Sequence, residues 1–270
     1  MHIVTWNVNS LKARERFVGL FLDAVAPDVL AIQELKLDAP EVPVELFTER
    51  GYHVAMHAQP TWNGVLLASK HPLTDVVAGV PSVEVDQARV VAATSQGIRF
   101  VNLYCPQGQA VTSPKFPYKL AFYDGLNAWL ADEIERQDTP CIVLGDLNVA
   151  RDPEDVWAPA RFAGVPSFHP EEHKRWDALM GLGFVDAVKP HIEPNTYSFW
   201  DYRGGAFHKK QGMRIDHILI PTALSERVES AHIIRDWRKK KVDPTTAGDP
   251  KPIKLTSSDH APVGIHLRTT

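Results

Sequence analysis

Several apolar runs of this 270-residue chain stop at an acid, an amide or a phenol: Asn7, Gln33-Glu34, Tyr104, Asp146 with Asn148, and Asp216, while Asp259-His260 opens the last run. Asp and Asn are common where strands stop, so any one of these alone reads as a cap or turn residue. Asp146 and Asn148 carry more, because residues two apart on a strand project from the same face. A carboxylate and an amide presented together can hold a water and a phosphoryl oxygen, whereas a structural pair needs buried partners of its own. Glu34 closes an apolar run, where a carboxylate must be exposed, paired or bound to a cation. Hard oxygen donors of this kind suit Mg²⁺ or Mn²⁺, and the lack of clustered Cys and His argues against a zinc site. Adjacent residues on an extended chain face opposite ways, so Asp259 cannot easily orient His260. Asp216 is the better partner for the imidazole, which frees Asp259 for a metal.

The elements that must position these residues alternate along the chain. Strands are expected over 3–8, 28–34, 64–69, 90–94, 99–105, 141–148, 214–221 and 260–267 from their apolar content and turn-rich borders. Helical spacing predicts helices over 12–26, 118–136 and 173–182, the last ending at Gly183, with a Pro- and Ala-rich loop over 150–170. Strands without intervening helices between 64 and 105 imply antiparallel pairing. The expected class is α+β, mixed and mainly antiparallel, with two packed sheets and outer helices in one domain spanning 1–270.

A net charge of −4 excludes a uniformly basic nucleic-acid coat but leaves room for a local basic face. Two cysteines in strand-like surroundings, Cys105 and Cys141, make a disulfide framework unlikely and fit a reducing compartment. The N-terminus lacks the basic start and apolar block of a signal peptide, and no segment reaches the roughly 18 apolar residues of a membrane span. A soluble, cytoplasmic protein is expected, a monomer that makes no use of a membrane.

Seven pieces, in order and covering nearly the whole chain, carry a resemblance: Trp6-Asn-Val-Asn-Ser10, Gln33-Glu-Leu-Lys36, Asn102-Leu-Tyr-Cys-Pro-Gln-Gly108, Gly145-Asp-Leu-Asn148, Ser198-Phe-Trp-Asp-Tyr-Arg203, Arg214-Ile-Asp216 and Ser258-Asp-His-Ala-Pro262. They resemble the exonuclease III family of DNA-repair nucleases, in the endonuclease/exonuclease/phosphatase superfamily. The resemblance implies a four-layer α/β-β/α sandwich, Mg²⁺ or Mn²⁺ as cofactor, and cleavage of duplex DNA. The activities it implies are 3′→5′ exodeoxyribonuclease, endonuclease 5′ to an abasic site, and 3′-phosphatase or 3′-phosphodiesterase. It places Asn7, Glu34, Asp146, Asn148, Asp259 and His260 around the metal. Asp146 would orient or deprotonate the attacking water, Asn148 would donate to the phosphate, His260 oriented by Asp216 would contact the scissile phosphate, and Tyr104 would do likewise or assist the leaving oxygen.

The implied DNA contacts are Asn9, Gln107, Lys115, Lys119, Phe199, Trp200, Arg203, Lys209 and Lys210, with Arg238-Lys-Lys-Lys241 as a further basic cluster. Each basic cluster alone reads as a solvated face. One of Phe199 and Trp200 should line the pocket for a flipped-out abasic sugar, and the order of the two leaves open which. His169 reads as an ordinary loop histidine. Residues 236–257, with five lysines, one arginine and three prolines, exceed the family pattern and are expected to form an exposed, partly ordered loop overhanging the DNA groove. Three rival readings remain: a 3′-end-processing enzyme with little abasic-site activity, a superfamily phosphatase of a non-DNA phosphoester, and a catalytically silent DNA-binding module.

Overall fold

The computed structural model describes residues 1–80, 87–136, 138–239, 241–246 and 248–268. Its strands are β1 (His2–Asn7), β2 (Val29–Gln33), β3 (His53–His57), β4 (Val65–Ser69), β5 (Thr74–Ala78), β6 (Val90–Ser95), β7 (Ile98–Tyr104), β8 (Cys141–Asp146), β9 (Phe184–Asp186), β10 (Asp216–Pro221), β11 (Val228–Ile233), β12 (Lys241–Val242), β13 (Lys254–Leu255) and β14 (Val263–Leu267). The helices are α1 (Leu11–Val25), the single-turn α2 (Glu45–Thr48), α3 (Lys115–Arg136), the short α4 (Pro159–Phe162) and α5 (Pro170–Met180).

Two six-stranded sheets run in the orders β11-β14-β1-β2-β4-β3 and β5-β6-β7-β8-β10-β9. Among the described residues, only the β1–β2 and β7–β8 pairs are parallel, crossing over through α1 and α3, and the other ladders are antiparallel. The inner faces meet in one apolar layer that includes Ile3, Ala31 and Leu67 from the first sheet and Val91, Phe100 and Ile142 from the second. On the outer faces, Val4, Trp6 and Ile32 pack against Phe17 and Phe21 of α1, while Val101 and Val143 pack against Leu126 of α3 and Leu179 of α5. The central strands are therefore buried on both faces, which is why they read as continuous apolar runs rather than as alternation. The expected mixed sandwich with outer helices is the fold observed.

Helix boundaries differ by a turn. Helix α3 starts at Lys115 rather than 118, since Pro117 in the first turn loses only an amide that has no helical partner. Helix α5 starts at Pro170 rather than 173. His169 is its cap, with Nδ1 accepting from the Glu171 amide at 3.0 Å while the Glu172 carboxylate accepts from the His169 amide at 3.1 Å.

The 236–257 segment departs further from expectation. Instead of a wholly exposed loop, it has an anchored root: Trp237 is buried edge-on against Phe17 and Phe21, and Leu255 joins the same cluster. Strands β12 and β13 pair as a two-stranded ribbon riding on α1, where Arg16 meets Asp243 at 3.3 Å and the Lys241 ammonium lies 4.5 Å above the Trp237 ring. An aromatic and a leucine spaced eighteen residues apart in a lysine-rich stretch have no period that betrays them as anchors.

Beneath the second sheet lies a buried ion network. The Arg214 guanidinium reaches Asp155 at 2.8 Å and Asp186 at 2.6 Å, and the same Asp186 carboxylate lies 3.4 Å from His217. Burial alone would push both carboxyls up; Arg214, aided by His217, overrides this and holds both below the ordinary range. Their contribution to stability is thus complete above about pH 4 and is lost as the pH falls through the lowered folded-state values. Arg214→Met would strand two buried charges and should cost about 3–5 kcal/mol in urea denaturation at neutral pH. The variant should also lose the fall in stability on acidification expected of the native chain; a loss below about 1 kcal/mol would contradict this account.

Candidate active site

The C-terminal ends of the central strands of both sheets converge. In the first sheet Asn7 pairs in register with Gln33, and Glu34 follows at once with φ 59°, a left-handed turn that swings its carboxylate off the strand line. In the second sheet Asp146 lies opposite both Tyr104 and Asp216 on flanking strands, so three polar side chains stand abreast. Gly145 makes this possible: at φ 144°, a Cβ there would stand 2.0 Å from the Leu103 carbonyl oxygen.

The Asn7 amide spans the two sheets, donating to Glu34 Oε1 at 2.7 Å and to Asp146 Oδ2 at 2.9 Å, while its own oxygen accepts from the Asn9 amide at 2.9 Å. Both amide protons are thus committed to carboxylates, and Asn7 serves as a clamp between them. His260 Nδ1 meets Asp216 Oδ2 at 2.8 Å, and its Nε2 faces Asp146 Oδ2 at 3.8 Å. Burial would make this imidazole less basic, but Asp216 and Asp146 prevail and hold it protonated. Asp146 is raised in turn by burial, with His260 opposing. Tyr104, raised well above its ordinary value by burial and by Glu34 and Asp146, stays a phenol and a donor.

Asn148 is not on the strand as expected: β8 stops at Asp146, and Asn148 sits in a left-handed turn at φ 53°. The pair still converges, because the Asn148 amide nitrogen donates to Asp146 Oδ1 at 3.0 Å and its side chain is aimed by a 2.9 Å bond to the Cys105 carbonyl. Asp259 stands at the rim, half-buried, accepting from Asn9 Nδ2 at 3.0 Å. Glu34, Asp146 and His260 each bring one ligand atom within 4.8 Å of the others. All of these except Asn7, Asn9 and Asp216 line a cleft of about 730 Å³, whose other wall is apolar: Phe162, Val165, Phe199 and Met213.

Among the expected DNA contacts, two positions are corrected. Lys119 is fully buried in α3, paired with the equally buried Glu172 at 2.5 Å and donating to the Asn148 carbonyl at 2.7 Å, so it holds the cleft wall rather than phosphate. Trp200 is 2% exposed and packs on Phe207, whereas Phe199 lines the cleft with its ring 4.9 Å from that of His260. Alternation along the short extended segment allows only one of the two aromatics to face in. Gln107 and Arg203 line the cleft, Arg203 forked onto Asp201 at 2.8 Å, and Asn9 reaches Asp259 at its rim; Lys115, Lys209 and Lys210 are exposed and are not part of the cleft lining. Arg238 is buried at the root of the insertion, bonded to the Trp200 and Asp259 carbonyls at 3.0 Å, and Lys240 lies outside the described residues.

Two residues escaped the sequence reading. The Lys36 ammonium sits 2.7 Å from Glu34 Oε2 and 2.6 Å from Asn9 Oδ1, a positive charge already placed against the acid that needs one. Trp62, 70% exposed, lies beside it with the ammonium 6.0 Å from its ring. Lys36 was present in the Gln33-Glu-Leu-Lys36 piece as a signal; an isolated loop tryptophan offers none.

A model of the endonuclease/exonuclease/phosphatase family matches residues 4–260. Exodeoxyribonuclease III of Haemophilus influenzae is 31% identical over 286 residues, spanning 99% of this chain and 100% of that protein. Among solved structures, the 3′-5′ exonuclease NExo of Neisseria meningitidis superposes with a TM-score of 0.90 at 34% identity, and an AP endonuclease of Archaeoglobus fulgidus with 0.86 at 32%, each over 100% of both chains. The chain belongs to the endonuclease/exonuclease/phosphatase family, and within it to the exonuclease III group of DNA-repair nucleases. It is a hydrolase of DNA phosphodiester bonds.

If Asp216 fixes His260 as a cation, Asp216→Asn should lower kcat by on the order of 10²-fold while KM for DNA and the unfolding midpoint stay close to those of the native chain. A fall confined to KM would place His260 in binding alone.

Proposed function

We propose that the chain, acting as a single domain over residues 1–270, is a metal-dependent DNA-repair phosphodiesterase on duplex DNA. It trims 3′ ends as a 3′→5′ exodeoxyribonuclease and 3′-phosphatase or phosphodiesterase, and it incises 5′ to abasic sites. The observation that carries this reading is the cleft itself. One wall presents the Asp146 carboxylate and the Tyr104 phenol abreast with the His260 ring facing Asp146, and the other is an apolar face around Phe199 of the kind a deoxyribose without a base would need.

The donors present fit a hard divalent cation. Glu34 and Asp146 offer carboxylate oxygens in the same space, Lys36 already supplies cationic charge to Glu34, and His260 is committed to Asp216 as an imidazolium. Glu34 with Asp146 would hold Mg²⁺ or Mn²⁺, with Asp259 and Asn7 at the edge of the site. When bound, the ion neutralises charge on the phosphate oxygens. Asp146, held by Asn7 and the Asn148 amide, orients the attacking water and accepts its proton. His260 donates from Nε2 to a phosphate oxygen, and the Tyr104 phenol and the Asn148 amide stand as further donors where negative charge develops. The departing 3′ oxygen needs a proton, and His260 and Tyr104 are the two groups placed to supply it.

Lys115, Lys209 and Lys210 would grip the DNA backbone around this cleft, and Trp62 offers a flat face for a sugar or base beside it. Lys115→Ala should therefore weaken duplex binding and reduce the slope of log K against log salt by about 1, whereas Lys119→Ala should lower the unfolding midpoint instead.

The deciding assay offers duplexes with an internal abasic analogue, a 3′-phosphate or a plain recessed end, in Mg²⁺ and in EDTA. Cleavage in Mg²⁺ and none in EDTA is expected, with Glu34→Gln raising the Mg²⁺ needed for half-maximal rate by about 10–100-fold. Cleavage that survives chelation would overturn the metal assignment. Hydrolysis of a non-DNA phosphoester with all three duplexes left intact would overturn the substrate. The ranking of the three duplexes assigns the predominant activity.

A further inference from the structure

Far from the cleft, the first sheet gathers three histidines that lie far apart in the chain. His2 on β1, His266 on β14 and His232 on β11 occupy adjacent strands, with His2 directly opposite His266 and His232 directly opposite Gly264. Ile3, Ile265 and Leu267 point into the layer between the sheets, and Ala231 and Ile233 pack against that layer. Strand alternation therefore sends all three imidazoles out of the opposite face. His2 Nε2 and His232 Nε2 are 3.3 Å apart, the His266 ring stacks on that of His2 at 4.2 Å, and one nitrogen from each of the three lies within 4.8 Å of the others.

Gly264 makes the space for this arrangement. A Cβ there would stand 2.8 Å from His232 Nε2 and 3.2 Å from His2 Nε2. Two of the imidazoles are pushed toward the neutral form that binds metal: burial first, then His266 and His232, push His2 down to about 4, against a raising pull from Asp28, and burial with His266 lowers His232. Two imidazole nitrogens bound tetrahedrally to one zinc ion at about 2.05 Å would sit about 3.3 Å apart, matching the observed separation. Asp28, whose carboxylate accepts from the His2 amide at 2.7 Å, supplies nearby negative charge.

We propose that His2, His232 and His266 form a second metal site, taking Zn²⁺ or a similar borderline divalent ion through one nitrogen of each imidazole, with the fourth position open on the His266 side. Nitrogen donors without carboxylates select such ions over the Mg²⁺ or Mn²⁺ suited to the cleft. His2 and Asn7 lie at opposite ends of β1, about 16 Å apart at about 3.3 Å per residue, so this ion touches no reacting group. Its effect is to tie β1, β14 and β11 together at the edge of the sheet.

The test uses the full-length chain, stripped of metal and then saturated with Mg²⁺, titrated with Zn²⁺ by calorimetry and followed in parallel by thermal unfolding. The native chain and Glu34→Gln should both take up Zn²⁺ at this site and unfold at a higher temperature with it. His232→Ala and His266→Gln should each take up one ion fewer or bind it at least tenfold more weakly, and lose the thermal shift. His266 is only partly buried, so its replacement by glutamine tests the site with little burden on the fold. Co²⁺ should give the visible absorption of a nitrogen-bound, near-tetrahedral ion in the native chain and not in His232→Ala. The proposal falls if the Mg²⁺-saturated native chain takes up no Zn²⁺, if uptake is unchanged in both histidine variants, or if uptake disappears only in Glu34→Gln.

Discussion

The Asn7 amide is the contact on which the catalytic architecture depends. Its two N–H groups bind Glu34 from its own sheet and Asp146 from the other, so a single side chain fixes how far apart two acids from different layers stand. Without it, the buried Asp146 carboxylate would face the partly buried Glu34 carboxylate across the seam, with only Lys36 on the Glu34 side to offset the repulsion. Directly beneath, Gln33 donates to Asn102 at 2.7 Å across the same seam, and Asn102 returns bonds to the Ile32 and Leu66 carbonyls at 2.9 Å. The sheets are thus registered by amides in an otherwise apolar layer. Gln33 Nε2 and the Asn102 amide find partners across the seam while Gln33 Oε1 is left without one, so the donors rather than the full set of polar atoms register the two sheets.

The same logic governs the charges around the site. Lys119, Arg214 and His260 are all buried and each is matched: Lys119 by Glu172, Arg214 by Asp155 and Asp186, His260 by Asp216 and Asp146. The first two pairs are scaffolding. Lys119–Glu172 ties α3 to the Asn148 turn and, through bonds from the Ser167 and His169 amides, to the loop that forms the apolar wall. The third pair differs because its far side opens to the cleft, leaving Nε2 of a cation free to act. A buried ion pair closed on all sides is structure, and one left open on a single side is a site.

The linear sequence by itself determined much of this protein. Apolar runs and helical spacing are local properties of the backbone, so the positions of most strands and of α1 were legible, as were the polar residues at the strand ends and the seven ordered pieces that mark the family. Tertiary structure decided whatever depends on what stands opposite. Lys119 reads as a surface lysine until Glu172 is seen beside it. Phe199 and Trp200 are interchangeable on paper, and only the side of the extended segment that faces His260 separates them. Trp237 and Leu255 look like part of a loose basic loop until α1 supplies the apolar surface they cover. The three histidines show no spacing in the chain at all. They become a cluster because β1, β14 and β11 are neighbours in a sheet, and strand adjacency is set by long-range pairing rather than by any local period.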